Sequence, residues 1–340
     1  MLYELPIFEH ADATTIEEAV SLLTTYGEKA RIMAGGTDLL ALMKDRINGP
    51  QMRVPEVLIN VKSISGMTRM TDYGNRNLRI GCAVTLNDLE RSETVRRKYK
   101  LLWEAARQVG TTQIRFLGTI GGNLCQRPRC LYFRHPDFFC YKKGGGVCYA
   151  LGGEHRYYHS IVGYGRCAMA HPSDLAPALI ALNATVVIAA RDGEREVSLE
   201  DLFLQPNHLN ETVLRFDELL KEVRIPDSGE ENYQQFLKRR VRHAADFSLS
   251  SVAIFGRFTR GAFEEIRIVL GGIAPCPWRA FHAEETIHGK PLGDGIISKA
   301  ADEAVREAKP LCMNAYKVDL TKALVRRALS SIWEEAIGRG

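Results

Sequence analysis

The sequence has no apolar run approaching the roughly 18 to 20 residues of a membrane-spanning helix, no internal repeat and no low-complexity tract. These absences argue against a helical membrane span and a repeat array. Net charge is also small. The 45 Lys and Arg residues against 41 Asp and Glu leave +4, which gives no electrostatic case for nucleic acid or an anionic membrane as partner. The opening MLYELPIFEH carries neither a basic n-region nor an apolar h-region, so no secretory leader is expected and a cytoplasmic location is. Disulfides, which belong to oxidising compartments, are disfavoured for the same reason.

Cysteine is concentrated rather than scarce. Of eight cysteines, Cys130, Cys140, Cys148 and Cys167 fall within forty residues at intervals of 10, 8 and 19, while Cys82, Cys276 and Cys312 stand apart. The surrounding stretch is rich in glycine and aromatics and has no period of 2 or 3.6, so it reads as a long irregular loop. Loops of that length inside a compact domain are functional or disordered, and so many cysteines and tyrosines argue against a solvating linker. Four thiolates gathered by a loop suit an iron–sulfur cluster. Zinc ribbons favour paired C-x2-4-C knuckles, which are missing. On residue types alone a zinc site and unrelated buried thiols stay open. Lys142 and Lys143 beside Cys140, with Arg129 and Arg166 beside Cys130 and Cys167, are expected to lower thiol pKa values.

Along the chain, ATTIEEAVSLLTTYG carries a Thr cap and helical spacing. ARIMAGGTDLLALMKDR follows as a short strand, a Gly-Gly-Thr-Asp turn and a helix, the order that offers backbone N–H groups to a phosphate. This turn lacks both G-x-G-x-x-G and the P-loop lysine, so neither Rossmann nor Walker chemistry is supported. VLINVKSI and LRIGCAV predict strands, and TLNDLERSETV and KYKLLWEAARQVG predict helices. A second glycine turn, FLGTIGGN, directly precedes the cysteine loop. HPSDLAPALIALNATVVIAA predicts a turn carrying Asp174, a helix and a buried strand; EVSLEDLFL the start of a helix; ELLKEVRIP a strand. The polar stretch IPDSGEEN suggests a boundary, giving domains 1–226, with the inserted loop at about 124–170, and 227–340. Three antiparallel strands and two closing helices are expected beyond it, so the fold class is α+β.

Ile32-Met33-Ala34-Gly35-Gly36-Thr37-Asp38-Leu39-Leu40, Leu78-Arg79-Ile80-Gly81, Thr119-Ile120-Gly121-Gly122-Asn123, Pro172-Ser173-Asp174 and Glu218-Leu219-Leu220 through Ile225-Pro226 occur in that order. Together they resemble the FAD-binding medium subunit of the molybdenum hydroxylases, the xanthine dehydrogenase and aldehyde oxidoreductase family. The inserted loop resembles that of a subset with an extra [4Fe-4S] cluster, which includes the periplasmic-type aldehyde oxidoreductase and 4-hydroxybenzoyl-CoA reductase. The CAMAHPSD context looks closer to the aldehyde oxidoreductase branch.

The resemblance implies a vanillyl-alcohol oxidase/PCMH-type FAD-binding domain of two α/β subdomains, followed by a CO dehydrogenase flavoprotein-like C-terminal domain. It implies that Ile32–Leu40 and Thr119–Asn123 cradle the FAD pyrophosphate, where a Cβ would obstruct close approach. It further implies that Asp174 bonds a cofactor hydroxyl, that Lys238 stands near the flavin, and that Leu220 and Cys125 touch it. Cys130, Cys140, Cys148 and Cys167 are the implied iron ligands, and no catalytic residue is implied. Some relatives carry an aromatic before the second glycine turn where this chain has Val109. The family implies partners: a small subunit with [2Fe-2S] clusters, a large subunit with the molybdenum cofactor, and an external electron acceptor. Export to the periplasm would then require a partner with its own signal. Two readings of other classes remain: a self-contained flavin oxidase or reductase, and a zinc-binding interaction module, which would leave both glycine turns unexplained.

Overall fold

The computed structural model describes residues 4–74, 77–229, 231–242, 245–259 and 261–338. Among the described residues twelve strands lie in three sheets. The first sheet is parallel, with β3 (Val57–Asn60) between β1 (Glu9–Asp12) and β2 (Ala30–Met33). The helix Ile16–Tyr26 makes the crossover from β1 to β2, as parallel pairing requires. Thr15 caps that helix by accepting the Glu18 amide at 3.1 Å, with Glu17 and Glu18 in its first turn.

The second sheet has the order β4 (Met70–Asp72), β5 (Asn77–Gly81), β8 (Leu219–Pro226), β6 (Thr185–Ala190) and β7 (Gly193–Ser198), antiparallel throughout. Its central strand β8 comes after the cysteine loop yet pairs with β5 before it, so the loop is an excursion from one sheet. Here one expectation fails. Glu196, Val197 and Ser198 end the exposed edge strand β7 through the pairing Val186↔Val197, and only Glu200–Leu202 makes a single 3-10 turn. Strand pairing with β6 outweighs the local helical signal.

The third sheet runs β12 (Trp278–Arg279), β11 (Ala262–Gly271), β10 (Ser250–Thr259) and β9 (Tyr233–Arg239). Side chains alternate across β10. Ala253 and Phe255 enter the core that includes the helices Lys100–Arg107 and Leu175–Ala181. Val252 and Ile254 enter a second core against the helices Phe281–Ile287, Asp294–Glu303 and Tyr316–Gly338. The helix Phe281–Ile287 was not expected from the sequence; one turn too few of apolar spacing marks it.

Residues 126–170 form the irregular excursion that the composition predicts, with only two 3-10 turns, Tyr141–Lys143 and Tyr149–Leu151. Among the described residues no helix is long and apolar enough to cross a membrane. Because Phe255 is fully enclosed where β10 faces the first core, F255A is expected to cost about 3–5 kcal/mol in equilibrium denaturation. A change under about 1 kcal/mol would show that the sheet is not packed there as described.

Candidate functional site

The two glycine turns meet across a backbone-to-backbone contact. A Cβ on Gly35 would collide with the Leu117 carbonyl, and one on Gly121 would stand 2.7 Å from Cys82 Cβ. Gly36 takes φ +69, the left-handed region that favours glycine. Thr119 caps the short helix Ile120–Leu124 by accepting the Gly122 amide at 3.1 Å, and the Gly121 amide donates to Cys82 O at 2.9 Å. These requirements come from the protein's own packing, independently of any ligand.

Beside this contact lies a cleft of about 660 Å³. Ile32, Met33, Ala34, Gly35, Gly36, Thr37, Asp38 and Leu39 line one wall, and Thr119, Gly121, Gly122 and Cys125 another. Leu220 of β8 lies in the lining as well. Burial, with the Glu211 carboxylate nearby, pushes the Cys125 thiol up to about 12, so it faces the cleft as a neutral, apolar group. Sequence reading missed further lining residues: Arg31, Arg53, Arg127 and every residue of the stretch Leu209–Phe216 but Val213. Arg31 was legible as a lone cation inside an apolar strand; Leu209–Phe216 has no periodicity to announce it.

Leu40, Ile120, Asn123, Asp174 and Lys238 do not line the cleft. Asp174 and Lys238 find each other instead: Lys238 Nζ donates to Asp174 Oδ2 at 2.6 Å, with both side chains buried. Lys238 also donates to Gln108 O at 3.0 Å, and Ser248 Oγ to Asp174 Oδ1 at 3.0 Å. Ser173 Oγ donates to Asn123 Oδ1 at 2.6 Å. A polar chain thus runs from the second glycine turn through Ser173 and Asp174 to β9. Val109 is a core residue beyond the end of Lys100–Arg107 and takes no part in the cleft.

Asp38 joins the first glycine turn to the cysteine loop. Its carboxylate accepts the Arg127 amide at 2.8 Å and pairs with Arg129 at 2.9 Å and Arg134 at 2.7 Å. Burial works to raise its pKa, but the two guanidinium groups and the amide hold it below the usual carboxylate value. Burial lowers Arg129 to about 10, with Asp38 opposing. Further along, Lys142 and Arg127 both pair with buried Glu211, at 3.3 and 2.8 Å.

The loop brings Cys130, Cys140, Cys148 and Cys167 to the lining of one small cavity of about 10 Å³. Among the described residues no group of three or more His, Cys, Asp or Glu side chains is spaced for one metal ion. The expected lowering of the thiol pKa values is wrong at three positions. Burial pushes Cys130 up to about 12 and raises Cys140; Cys167 is raised by its hydrogen bond to Cys148 and by burial. Only Cys148 falls, to about 6, through the hydrogen bond from Cys167, with the amides of Ala168, Ala150 and Leu151 helping against burial. The cations act but are outweighed: Lys143 lowers Cys140 and Lys142 lowers Cys167, while Lys143 Nζ also donates to His135 O at 2.7 Å and Arg166 lies over the Tyr141 ring. Backbone amides do favour the thiolates, from Tyr132 and Phe133 at Cys130, Lys142 and Lys143 at Cys140, and Met169 at Cys167.

A parallel sheet and an antiparallel sheet that both contribute residues to a glycine-lined cleft define an α+β fold with room for a cofactor. Residues 6–228 match the FAD binding domain in molybdopterin dehydrogenase, and residues 235–332 the CO dehydrogenase flavoprotein C-terminal domain. The chain therefore belongs to the family of FAD-binding medium subunits of molybdenum hydroxylases, which are oxidoreductase flavoproteins. It is 34% identical over 336 residues to the aldehyde oxidoreductase FAD-binding subunit PaoB of Escherichia coli (strain K12), covering 95% of this chain and 96% of that one. It is 28% identical over 333 residues to the carbon monoxide dehydrogenase medium chain of Hydrogenophaga pseudoflava, covering 96% and 98%. A solved structure of carbon monoxide dehydrogenase from H. pseudoflava, lacking the Mo-pyranopterin moiety, superposes with a TM-score of 0.78 at 26% identity over 97% of this chain and 99% of that one.

Two outcomes are expected from variants at the site. G35A should reduce flavin per chain in the purified protein, because the added Cβ drives the two glycine turns apart; unchanged flavin content would show that the contact does not shape the cleft. K238M leaves Asp174 a buried, unpaired carboxylate and should destabilise the fold by about 3–5 kcal/mol, with the K238M/D174N double variant recovering part of the loss in the same denaturation assay.

Proposed function

We propose that this chain is the electron-transfer subunit of a molybdenum hydroxylase complex, carrying FAD in the glycine-lined cleft and a [4Fe-4S] cluster in the inserted loop. The observation that carries the reading is the Asp38 junction, which fastens a four-cysteine loop onto the glycine turn lining a cleft of about 660 Å³. Bound FAD supplies the exchange between two-electron and one-electron transfer.

The chain's own residues bind and orient. The Ile32–Leu39 turn, with Thr119, Gly121 and Gly122, offers backbone to the pyrophosphate, while Arg31 and Arg53 place guanidinium groups in a cleft whose Arg127 and Arg215 are paired with Glu211 and Glu218. Leu220 and Cys125 line the cleft and would meet the flavin through apolar surface. Asp174 and Lys238, engaged with each other outside the lining, are assigned the positioning of the second glycine turn rather than direct hydrogen bonding to the cofactor.

Cys130, Cys140, Cys148 and Cys167 would hold the cluster. They line one cavity, and backbone amides are set to stabilise their thiolate forms. One zinc ion needs four sulfurs about 2.3 Å from a single point, a spacing these residues do not adopt. A cluster takes each cysteine on a different iron, so its four sulfurs stand around a common centre instead of meeting at one point, and the four cysteines do line one cavity. The chain has no second thiol set for [2Fe-2S] clusters, since Cys82, Cys276 and Cys312 are dispersed. We assign those clusters to a small subunit and the molybdenum cofactor to a large one, with electrons leaving to an external acceptor. Identity to the aldehyde oxidoreductase subunit supports an aldehyde as substrate of the complex.

Iron and flavin analysis tests the reading. The purified complex should contain one flavin per chain and iron beyond that of its partners. C140S or C148S should lose about four irons per chain and keep FAD. Unchanged iron in both variants, or stoichiometric zinc in a colourless chain, would sink it.

A further inference from the structure

His159 is the one imidazole whose described hydrogen bonding reaches the sulfur of a candidate iron ligand: its Nε2 lies 3.2 Å from Cys130 Sγ, with both side chains buried. The opposite nitrogen, Nδ1, is shut off from water and has no hydrogen-bond partner. Apart from the nearby His155 backbone, the ring's polar contact is the sulfur. Its backbone is held with unusual firmness for a loop residue. Lys317, fully buried on the C-terminal helix, donates to the carbonyls of His159 at 2.9 Å, Tyr157 at 2.9 Å and Gly272 at 2.7 Å. Asn314 adds a bond to Ser160 O at 3.0 Å, and His159 bridges in antiparallel fashion to Met169, two residues beyond Cys167.

A neutral imidazole has one N–H and one lone pair. Facing a thiol, Nε2 can take either role. Facing a metal-bound thiolate, a lone pair would meet lone pairs, so the N–H must be the group that points at sulfur. Hydrogen bonds to ligand sulfurs withdraw electron density and are among the levers that set the reduction potential of an iron–sulfur cluster.

We propose that His159 is a positioning residue that donates from Nε2 to Cys130 Sγ and raises the reduction potential of the cluster, with Lys317 clamping the loop so that the imidazole stays there. The proposal rests on the cluster reading above. It gives the C-terminal domain a defined part in redox tuning, because Lys317 and Asn314 belong to that domain while Cys130 belongs to the loop.

The test is a redox titration of the cluster's paramagnetic signal in the purified complex, alongside iron analysis, for wild type, H159L and H159Q. H159L should keep its iron and shift the midpoint to lower potential, and H159Q, which can still donate an N–H, should move it back toward wild type. Wild type without the extra iron would refute the cluster reading. Iron retained in H159L at an unmoved potential would overturn the role of His159 alone. If H159L fails to hold iron, pulsed electron paramagnetic resonance on wild type with isotope-labelled histidine decides: a weak imidazole nitrogen coupling to the reduced cluster supports the proposal, and its absence overturns it.

Discussion

The Asp38 carboxylate takes the Arg127 amide on one oxygen and faces the guanidinium groups of Arg129 and Arg134 with the other. All three partners lie in the excursion between β5 and β8, whereas Asp38 ends the first glycine turn. Removing a carboxylate from water is expensive, and the attraction of two cations largely offsets that cost without guaranteeing net stability. What the junction does supply is geometry. It ties the first glycine turn, which lines the cleft, to the start of the loop that carries the four cysteines. The Glu211 cluster with Arg127 and Lys142 extends the same logic to the far side of the loop.

The second constraint is β10, which is buried on both faces. Its alternating side chains enter two cores, so the C-terminal half and the FAD-binding half share a strand rather than a linker. The Asp174–Lys238 pair crosses the same boundary in polar form. Coupling between halves of this kind explains how Lys317, on the last helix, comes to hold the backbone of His159 in the cysteine loop.

Much of the fold was legible in the residues. The Thr15 cap, the amphipathic Lys100–Arg107 helix and the apolar strands β3, β6, β10 and β11 each carry a local signal strong enough to survive tertiary context. The failures are equally local in origin. β7 was misread because pairing with β6 overrode a helical pattern, and Phe281–Ile287 is too short to display a period. The resemblance singled out the glycine turns, Cys125 and Leu220, which line the cleft, yet the reason for Gly35 was not legible. Its hydrogen atom points at the Leu117 carbonyl, a neighbour more than eighty positions away.

The residues by themselves determined the family, the two glycine turns and the gathering of cysteines in one excursion, because turn chemistry and residue type are properties of short segments. Only the tertiary structure decided which of those groups meet. It paired Asp174 with Lys238, which the sequence had offered as separate cofactor contacts, since a buried cation and a buried carboxylate cannot stay apart at low cost. It raised three thiol pKa values that neighbouring lysines and arginines were expected to lower, since sequence adjacency says nothing about burial. It also set His159 against Cys130, a contact across 29 positions that depends on a lysine another 158 further along and so has no signature in any local stretch of the chain.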